Sequence, residues 1–390
     1  MPIVSPTKLI GARSPIYITA NYGSLASSMT DVTLEVYIWT GARGSRPASP
    51  QYTLFRDVFA STDLSFDIAA MVEEYLTNSY SGFDIIDVGN VPDGSVVWVQ
   101  IDYEVNYINK ADPPATVNDT GSTAIFEASN GYHLFTEGAN KQHSTGFLHN
   151  TSRIYVTDAG NEIVAAYPGE YGSGYNDLTF VRVIGDSQYE VDFDITSDLI
   201  NTQAEGRILT FPCGVTNVTE WLDTVAEPLL YTKYYSIQLL QSDETILDSI
   251  DIYPTCESKY TPAVIRYINR YGVWEPIYFF KRSDDNMQTT SEQYRRSIGT
   301  SGASGFTYDT TEELYKNFNT NGKITTTLNT GWVNEEYKEA IKDLLMSERV
   351  MLDGKPVNVI SESVTLQKAI NDKTINYTIQ VEEAFDIRYV

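Results

Sequence analysis

The chain has 390 residues, and its 52 acidic residues against 27 lysines and arginines leave a net charge of −25. That length suits two or three domains with cores large enough to need no disulfide staples. That charge opposes phosphate backbones and anionic lipid, which disfavours general nucleic-acid or membrane binding. Twenty-eight tyrosines against three histidines point to contact surfaces and strands rather than to metal or acid–base chemistry.

The opening "MPIVSPTKLIGARSPIYITA" lacks the charged and apolar blocks of a signal peptide. No run approaches the roughly 18 apolar residues of a membrane span. The chain is therefore expected to fold in a cytoplasm. Its N-x-S/T triplets at Asn118, Asn150, Asn217 and Asn376 carry no weight as glycosylation sites, and Cys213 and Cys256, each near a proline, leave a bridge between sheet edges open, although no export signal favours one.

In "DVTLEVYIWTG", Leu34, Val36 and Ile38 alternate with Thr33, Glu35 and Tyr37, the pattern of a strand with one buried face. "GARGSRPASP" reads as an exposed loop whose Arg43 and Arg46 are solvated. In "FDIAAMVEEYL", Asp67 is placed to cap a helix with Ile68, Val72, Tyr75 and Leu76 on its apolar face. "SVVWVQIDYEV" returns to strand. Residues 1–110 are thus expected to form a β-sandwich-like domain with one short helix.

Residues 111–150 are polar and weakly periodic, and are expected as a long loop or insertion that meets a partner. Residues 151–283 resume the β pattern in "LTFVRVIG", "YEVDFDI", "GRILTFP" and "YYSIQLLQSDETILDSIDIYP", a second β-rich domain. Within it "QYEVDFDITSDLI" echoes "DLSFDIAAMV" and hints at duplication. Residues 284–307 read as a polar linker. Residues 308–390 read as a C-terminal α+β domain: Thr310 and Glu313 form a capping-box pattern, and Asn334 is placed to cap "EEYKEAIKDLLMSERV". Tyr337, Ala340, Ile341, Leu344 and Leu345 make the buried stripe of that second helix, and "KPVNVISESVTLQK" and "INYTIQVEEAF" are strands. The fold class expected is mainly β with a smaller α+β part, one or two sandwich-like domains preceding the C-terminal one.

Chemistry is sparse. "GTSGASG" at 299–305 has neither the following Lys-Ser/Thr nor the preceding strand of a phosphate cradle. His133, His143 and His149 have no nearby cysteine to complete a zinc site. Asp192, Asp194 and Asp198 lack the glycine and terminal glutamate of a calcium loop. The adjacent pairs Glu73/Glu74 and Asp284/Asp285 diverge on a helix and face opposite sides on a strand, so neither makes a glycosidase pair. No catalytic, cofactor-binding or metal residue is nominated, and no enzyme activity is expected.

The densest feature is "RYINRYGVWEPIYFFKRS", residues 266–283, with six aromatic residues punctuated by lysine and arginine. A ligand-stacking platform, a nucleic-acid strip and a structural hairpin all use this mixture. The charge of −25 weighs against nucleic acid. A strand, a turn at Gly272 and a second strand ended or edged by Pro276 is the reading adopted.

"INRYGVWEPIYFFKRS", "LNTGWVNEEYKEAIKDLLMSERVML", "KPVNVISESVTLQK" and "INYTIQVEEAF" together resemble virion structural proteins of tailed bacteriophages of Bacteroidetes hosts, the crAss-like group included. The front order "SPIYI…LEVYIWTG…FDIAAMVEEYL" is similar as well. The resemblance covers about the last 125 residues and, more loosely, the first 80, and it carries no active site. It implies a tail, collar or ring component in the virion, made in the host cytoplasm. Such a component contacts other tail or neck proteins in a homo-oligomeric ring, without membrane or sequence-specific nucleic acid, and a place near the DNA passage channel is compatible with it. The 111–150 loop, "GARGSRPASP" and the 284–307 linker are the contact surfaces expected. The alternatives are a baseplate or fibre adaptor whose "SNGYHLFTEG" loop meets host glycan, and a hydrolase with carboxylates converging from distant strands.

Overall fold

Alternating apolar residues produce a mainly β chain with several sheets. The structure, a computed structural model, describes residues 3–21, 28–58, 63–77, 79, 83, 85, 87–90, 94–109, 113–169, 178–186, 189–195, 208–257, 259–361 and 375–388. Contacts divide it into two units. The first comprises Met1–Glu257, Tyr267–Tyr278 and Glu336–Glu348; the second comprises Ser258–Arg266, Phe279–Glu335 and Arg349–Val390. None of the described helices is long and apolar enough to cross a membrane.

In the first unit, β1 (Ile3–Val4), β3 (Tyr17–Asn21) and β6 (Asp63–Asp67) form one sheet in the order β1-β3-β6. A second sheet runs β2 (Ile10–Gly11), β10 (Phe126–Ser129), β8 (Val96–Asn109), β4 (Ser28–Trp39), β5 (Tyr52–Asp57), with β9 (Ala115–Ser122) also paired to β8. Ile18 and Phe66 of the first sheet share one core with Val32, Leu34, Val36, Val99, Ile101 and Phe126 of the second, so two sheets bury their apolar faces together. Helix α1 (Ala69–Glu73) adds Val72 to that core, but Ile68 rather than Asp67 stands at its N-cap, without a side-chain cap, and Asp67 accepts the Ala69 N–H at 3.0 Å from one residue earlier. Arg46 departs from expectation. It lies 3.6 Å over the Tyr37 ring and pairs with Asp102, so the "GARGSRPASP" loop is pinned to the sheet.

The 111–150 segment is not a loop. It carries β9, β10 and β11 (Gly146–Phe147), and β10, buried along its whole length, lies between β2 and β8. Polar side chains on β9 hid its period, and four residues of β10 are too few to show one.

The rest of the first unit holds a five-stranded sheet, β12 (Arg153–Thr157), β18 (Ile246–Thr255), β17 (Tyr235–Leu240), β14 (Phe180–Ile184), β15 (Glu190–Asp194), with β12 and β18 parallel. A four-stranded sheet runs β11, β13 (Ile163–Tyr167), β16 (Leu209–Pro212), β7 (Gly89–Asn90). Since β7 from the first block pairs with β16, the expected divide between 1–110 and 151–283 is crossed by a ladder. Helix α2 (Val215–Asp223) was not anticipated. Its Val218, Trp221 and Leu222 are buried at helical spacing, and Trp221 stacks on Phe193 with centroids 4.0 Å apart.

Helix α3 (Tyr337–Met346) lies within the predicted helical stretch and buries Tyr337, Ala340, Ile341 and Leu344, but Leu345 is only half-buried, and Glu336 rather than Asn334 stands at its N-cap, without a side-chain cap. It belongs to the first unit, not to a C-terminal α+β domain. The reason is polar as well as apolar: its Asp343 binds groups of the first unit, described below. The second unit therefore holds no described α-helix. Its sheet includes the antiparallel run β25 (Val350–Leu352), β26 (Lys355–Val359), β27 (Thr378–Glu383), β24 (Tyr315–Asn329), β21 (Asp284–Arg295). The stretch expected as a linker supplies β21 and a tip hairpin of β22 (Gly299–Gly302) and β23 (Gly305–Tyr308). Thr310 and Glu313 cap no helix; Asp309 accepts the Thr311 N–H in a turn leading into β24. The end of "KPVNVISESVTLQK" beyond residue 361 lies outside the described residues.

Candidate functional site

The aromatic stretch is a hairpin of β19 (Ala263–Ile268) and β20 (Trp274–Phe279), and Pro276 sits inside the second strand rather than ending it. Tyr267, Tyr278, Phe279 and Phe280 are buried, so the rings form a structural spine and not a stacking platform. The turn is locked by Asn269. Its Oδ1 accepts the N–H groups of Tyr271 at 2.9 Å and Val273 at 3.3 Å, and its backbone N–H donates to the Val273 carbonyl at 2.9 Å.

Glu275, one residue into β20, is the centre of a buried network in the first unit. Its Oε2 accepts from Asn269 Nδ2 at 2.7 Å and Asn150 Nδ2 at 2.9 Å, and its Oε1 lies 3.6 Å from His149 Nε2. Asn269 Nδ2 also donates to the Leu148 carbonyl at 2.9 Å. Burial raises the Glu275 pKa, opposed by His149 and the Asn269 hydrogen bond. Asp343 of α3 is also held high by burial; it accepts from the Tyr132 hydroxyl at 2.9 Å and the Arg270 backbone N–H at 3.0 Å.

Strapped across the hairpin turn is the segment that follows β10. Tyr132 N–H donates to the Arg270 carbonyl at 2.7 Å, Ser129 Oγ to the Tyr271 carbonyl at 2.8 Å, and the Arg270 guanidinium to both Glu137 oxygens at 2.7 Å. Three glycines make this possible. A Cβ on Gly11 would lie 2.6 Å from Gly131 C, one on Gly131 2.6 Å from the Arg270 carbonyl oxygen, and one on Gly272 2.7 Å from Asn130 N.

The structure brings all three histidines to this region. His133 and His143 stack with centroids 5.4 Å apart, and Tyr271 meets His143 edge-on at 5.2 Å. Burial pushes the His143 imidazole down to about 4, reinforced by His133 and Arg270 and opposed by Glu137. The folded state therefore keeps His143 neutral where an unfolded chain protonates it near 6.5. Stability from this group is full above that value and falls as pH drops towards 4, by about 3 kcal/mol across the interval. Urea unfolding of His143→Gln between pH 4 and 7 should show a correspondingly shallower slope than the wild type.

Other nominated residues disperse. Asp192 pairs with Arg182 at 2.6 Å on the outermost strand β15, Asp194 ends that strand, and Asp198 lies outside the described residues. Glu74 accepts from the Tyr52 hydroxyl at 2.6 Å, a bond that pushes Tyr52 up to about 12. Cys213 is a buried free thiol and Cys256 an exposed one. "GTSGASG" is the arm's tip hairpin. Sequence reasoning missed Glu275 and Asp343, although a lone glutamate amid six aromatic residues is a visible anomaly.

Among the described residues, two open surfaces stand out. One is a groove of about 630 Å³ in the first unit, lined by Val4, Pro6, Ile10, Tyr17, Leu134 and Phe135 among others, with no charged side chain among its described lining residues. Phe135 stands on it fully exposed. The other is the β21–β24 arm. All twelve residues of β21 are exposed, about 40 Å of strand, and Met287, Tyr294, Phe306, Tyr308, Tyr315 and Phe318 face solvent along the arm. Between Asn286 and Tyr308 one acid accompanies two arginines, unlike the acidic chain as a whole.

Compared with known protein families and with curated protein sequences, the chain matches no family model and no curated protein.

Proposed function

We propose that the chain is a structural subunit of a tailed-bacteriophage virion, a tail, collar or ring component that works by protein–protein contact and performs no catalysis. The observation that carries this reading is the exposed arm. A two-stranded ribbon with six solvent-facing large apolar residues gains nothing from this exposure as a lone molecule, and burial against another protein would stabilise it. The resemblance of the last 125 residues to phage virion proteins supplies the setting, tail or neck, and other virion proteins as neighbours.

The test is an arm-shortened chain in which Asn-Gly replaces Ser291–Thr320, joining the paired residues Thr290 and Asn321. Its unfolding midpoint should match the wild type, while its incorporation into particles in a complementation assay, scored by electron microscopy, should be lost. Normal incorporation would sink the arm's role in assembly.

A second reading, an adaptor that contacts host glycan, rests on Phe135 beside the uncharged groove. Aromatic faces over neutral pockets suit sugar rings. Glycan-array binding lost in Phe135→Ala would favour it.

A further inference from the structure

β21 is the outermost strand of its sheet. β24 pairs along one side, and among the described residues no strand pairs with the other side, which presents its backbone N–H and C=O groups outward. Edges of this length template pairing with another chain unless they are bulged, shortened or guarded by charge. The one irregularity in the ladder puts its extra residue on β24, where Asn319 adopts a left-handed conformation, so β21 keeps a regular two-residue period.

The charges on this edge are segregated rather than scattered. Residues 284–296 read DDNMQTTSEQYRR, with Asp284 and Asp285 at one end and Arg295 and Arg296 at the other. Laying a second copy antiparallel about Thr290 sets Asp285 opposite Arg295 and Asp284 opposite Arg296, and the dyad repeats both pairs. Asp285 and Arg295 share a face of the strand, as directly opposed residues must. The pairs between them are Asn286 with Tyr294, Met287 with Gln293, Gln288 with Glu292, Thr289 with Ser291, and Thr290 with itself. No like charges meet. A parallel in-register alignment would instead stack acid on acid and arginine on arginine.

We infer that β21 is a self-pairing edge, through which two copies of the chain join isologously and continue one sheet across the dyad. This rests on the assembly reading and names the partner as a second copy. Within one chain, Asp284 meets Arg282 at 2.5 Å, Asp285 accepts from Thr326 Oγ1 at 2.7 Å, and Arg296 pairs with Glu312. Asp284, Asp285 and Glu312 are exposed and Arg296 is half-buried, so the two ion pairs exchange readily for partners of the same charge, while Thr326 is buried. Arg295 has no ion-pair partner among the described residues.

The test is sedimentation velocity on the full chain and on charge-reversed variants, with circular dichroism to show an unchanged fold. The wild type should dimerise, less so as salt rises. Asp284→Arg with Asp285→Arg, and separately Arg295→Glu with Arg296→Glu, should each weaken association about a hundredfold or more by setting like charges opposite one another. Mixing the two double variants, or combining all four reversals in one chain, should restore it. A wild type still monomeric at about 100 μM, where micromolar contacts are largely occupied, overturns the inference. So do double variants that associate like the wild type, or a fourfold variant that fails to recover. Closed rings that persist in every variant would overturn the self-pairing edge and leave the assembly reading standing. Failure of that reading shows instead as normal particle incorporation of the arm-shortened chain.

Discussion

Replacing Glu275 with alanine is expected to destabilise the first unit by about 3–5 kcal/mol, the cost of breaking a buried, hydrogen-bonded polar cluster by removing one partner. The carboxylate is 1% exposed and takes donors from Asn269, in the turn, and Asn150, three residues before β12. Alanine leaves both amides without their acceptor and opens a cavity beside Tyr267 and His149. Glu275→Gln keeps the volume and one acceptor oxygen, and should cost about 1 kcal/mol. Burial raises the Glu275 pKa in the folded state, so its contribution is full below the ordinary glutamate range and declines as pH rises through the raised value. Chemical unfolding of both variants at two pH values checks these statements. A loss below about 1 kcal/mol for alanine would mean that the cluster does not organise the hairpin.

The second large effect is expected at Gly272. Its φ is +81°, and an added Cβ would sit 2.7 Å from both Asn130 N and Gly131 N. Gly272→Ala therefore combines left-handed strain with backbone overlap, and should cost about 3 kcal/mol. Gly354, in the turn between β25 and β26, has the same φ of +81° with open space where the Cβ would go. Gly354→Ala isolates the strain alone, about 1 kcal/mol. The difference between the two measures the close approach of segment and turn. Equal losses would show that the 129–132 segment yields to the extra methyl.

The elements with clean periods were legible: β4, β8, the helix α1 and most of the buried stripe of α3 lie where alternation or helical spacing places them. Legibility failed where the partner decides the outcome. β10 has four residues, all buried by neighbours far along the chain, so no local pattern marks it. β21 is a strand with no buried face, and its threonines and asparagine read as linker until β24 is seen beside it. Thr310 and Glu313 had the spacing of a helix start, but strand pairing a few residues later prevailed over that local preference. The polar hub was hidden for the same reason, since Glu275, Asn150 and Asp343 are separated by 68 residues or more and converge only when folded.

The first unit is built from three separated pieces of chain, the last of them Glu336–Glu348. Synthesis proceeds at about 5–20 residues per second, so the interval between Glu257 and Glu348 occupies the ribosome for on the order of ten seconds. Throughout it the 129–132 segment waits without Asp343, the acceptor of the Tyr132 hydroxyl and the Arg270 amide. The arm, with its exposed strand β21, is made in that same window. A nascent chain thus has its fully exposed strand β21 synthesised before its first unit can close, and neighbouring ribosomes on one message would carry several such strands side by side.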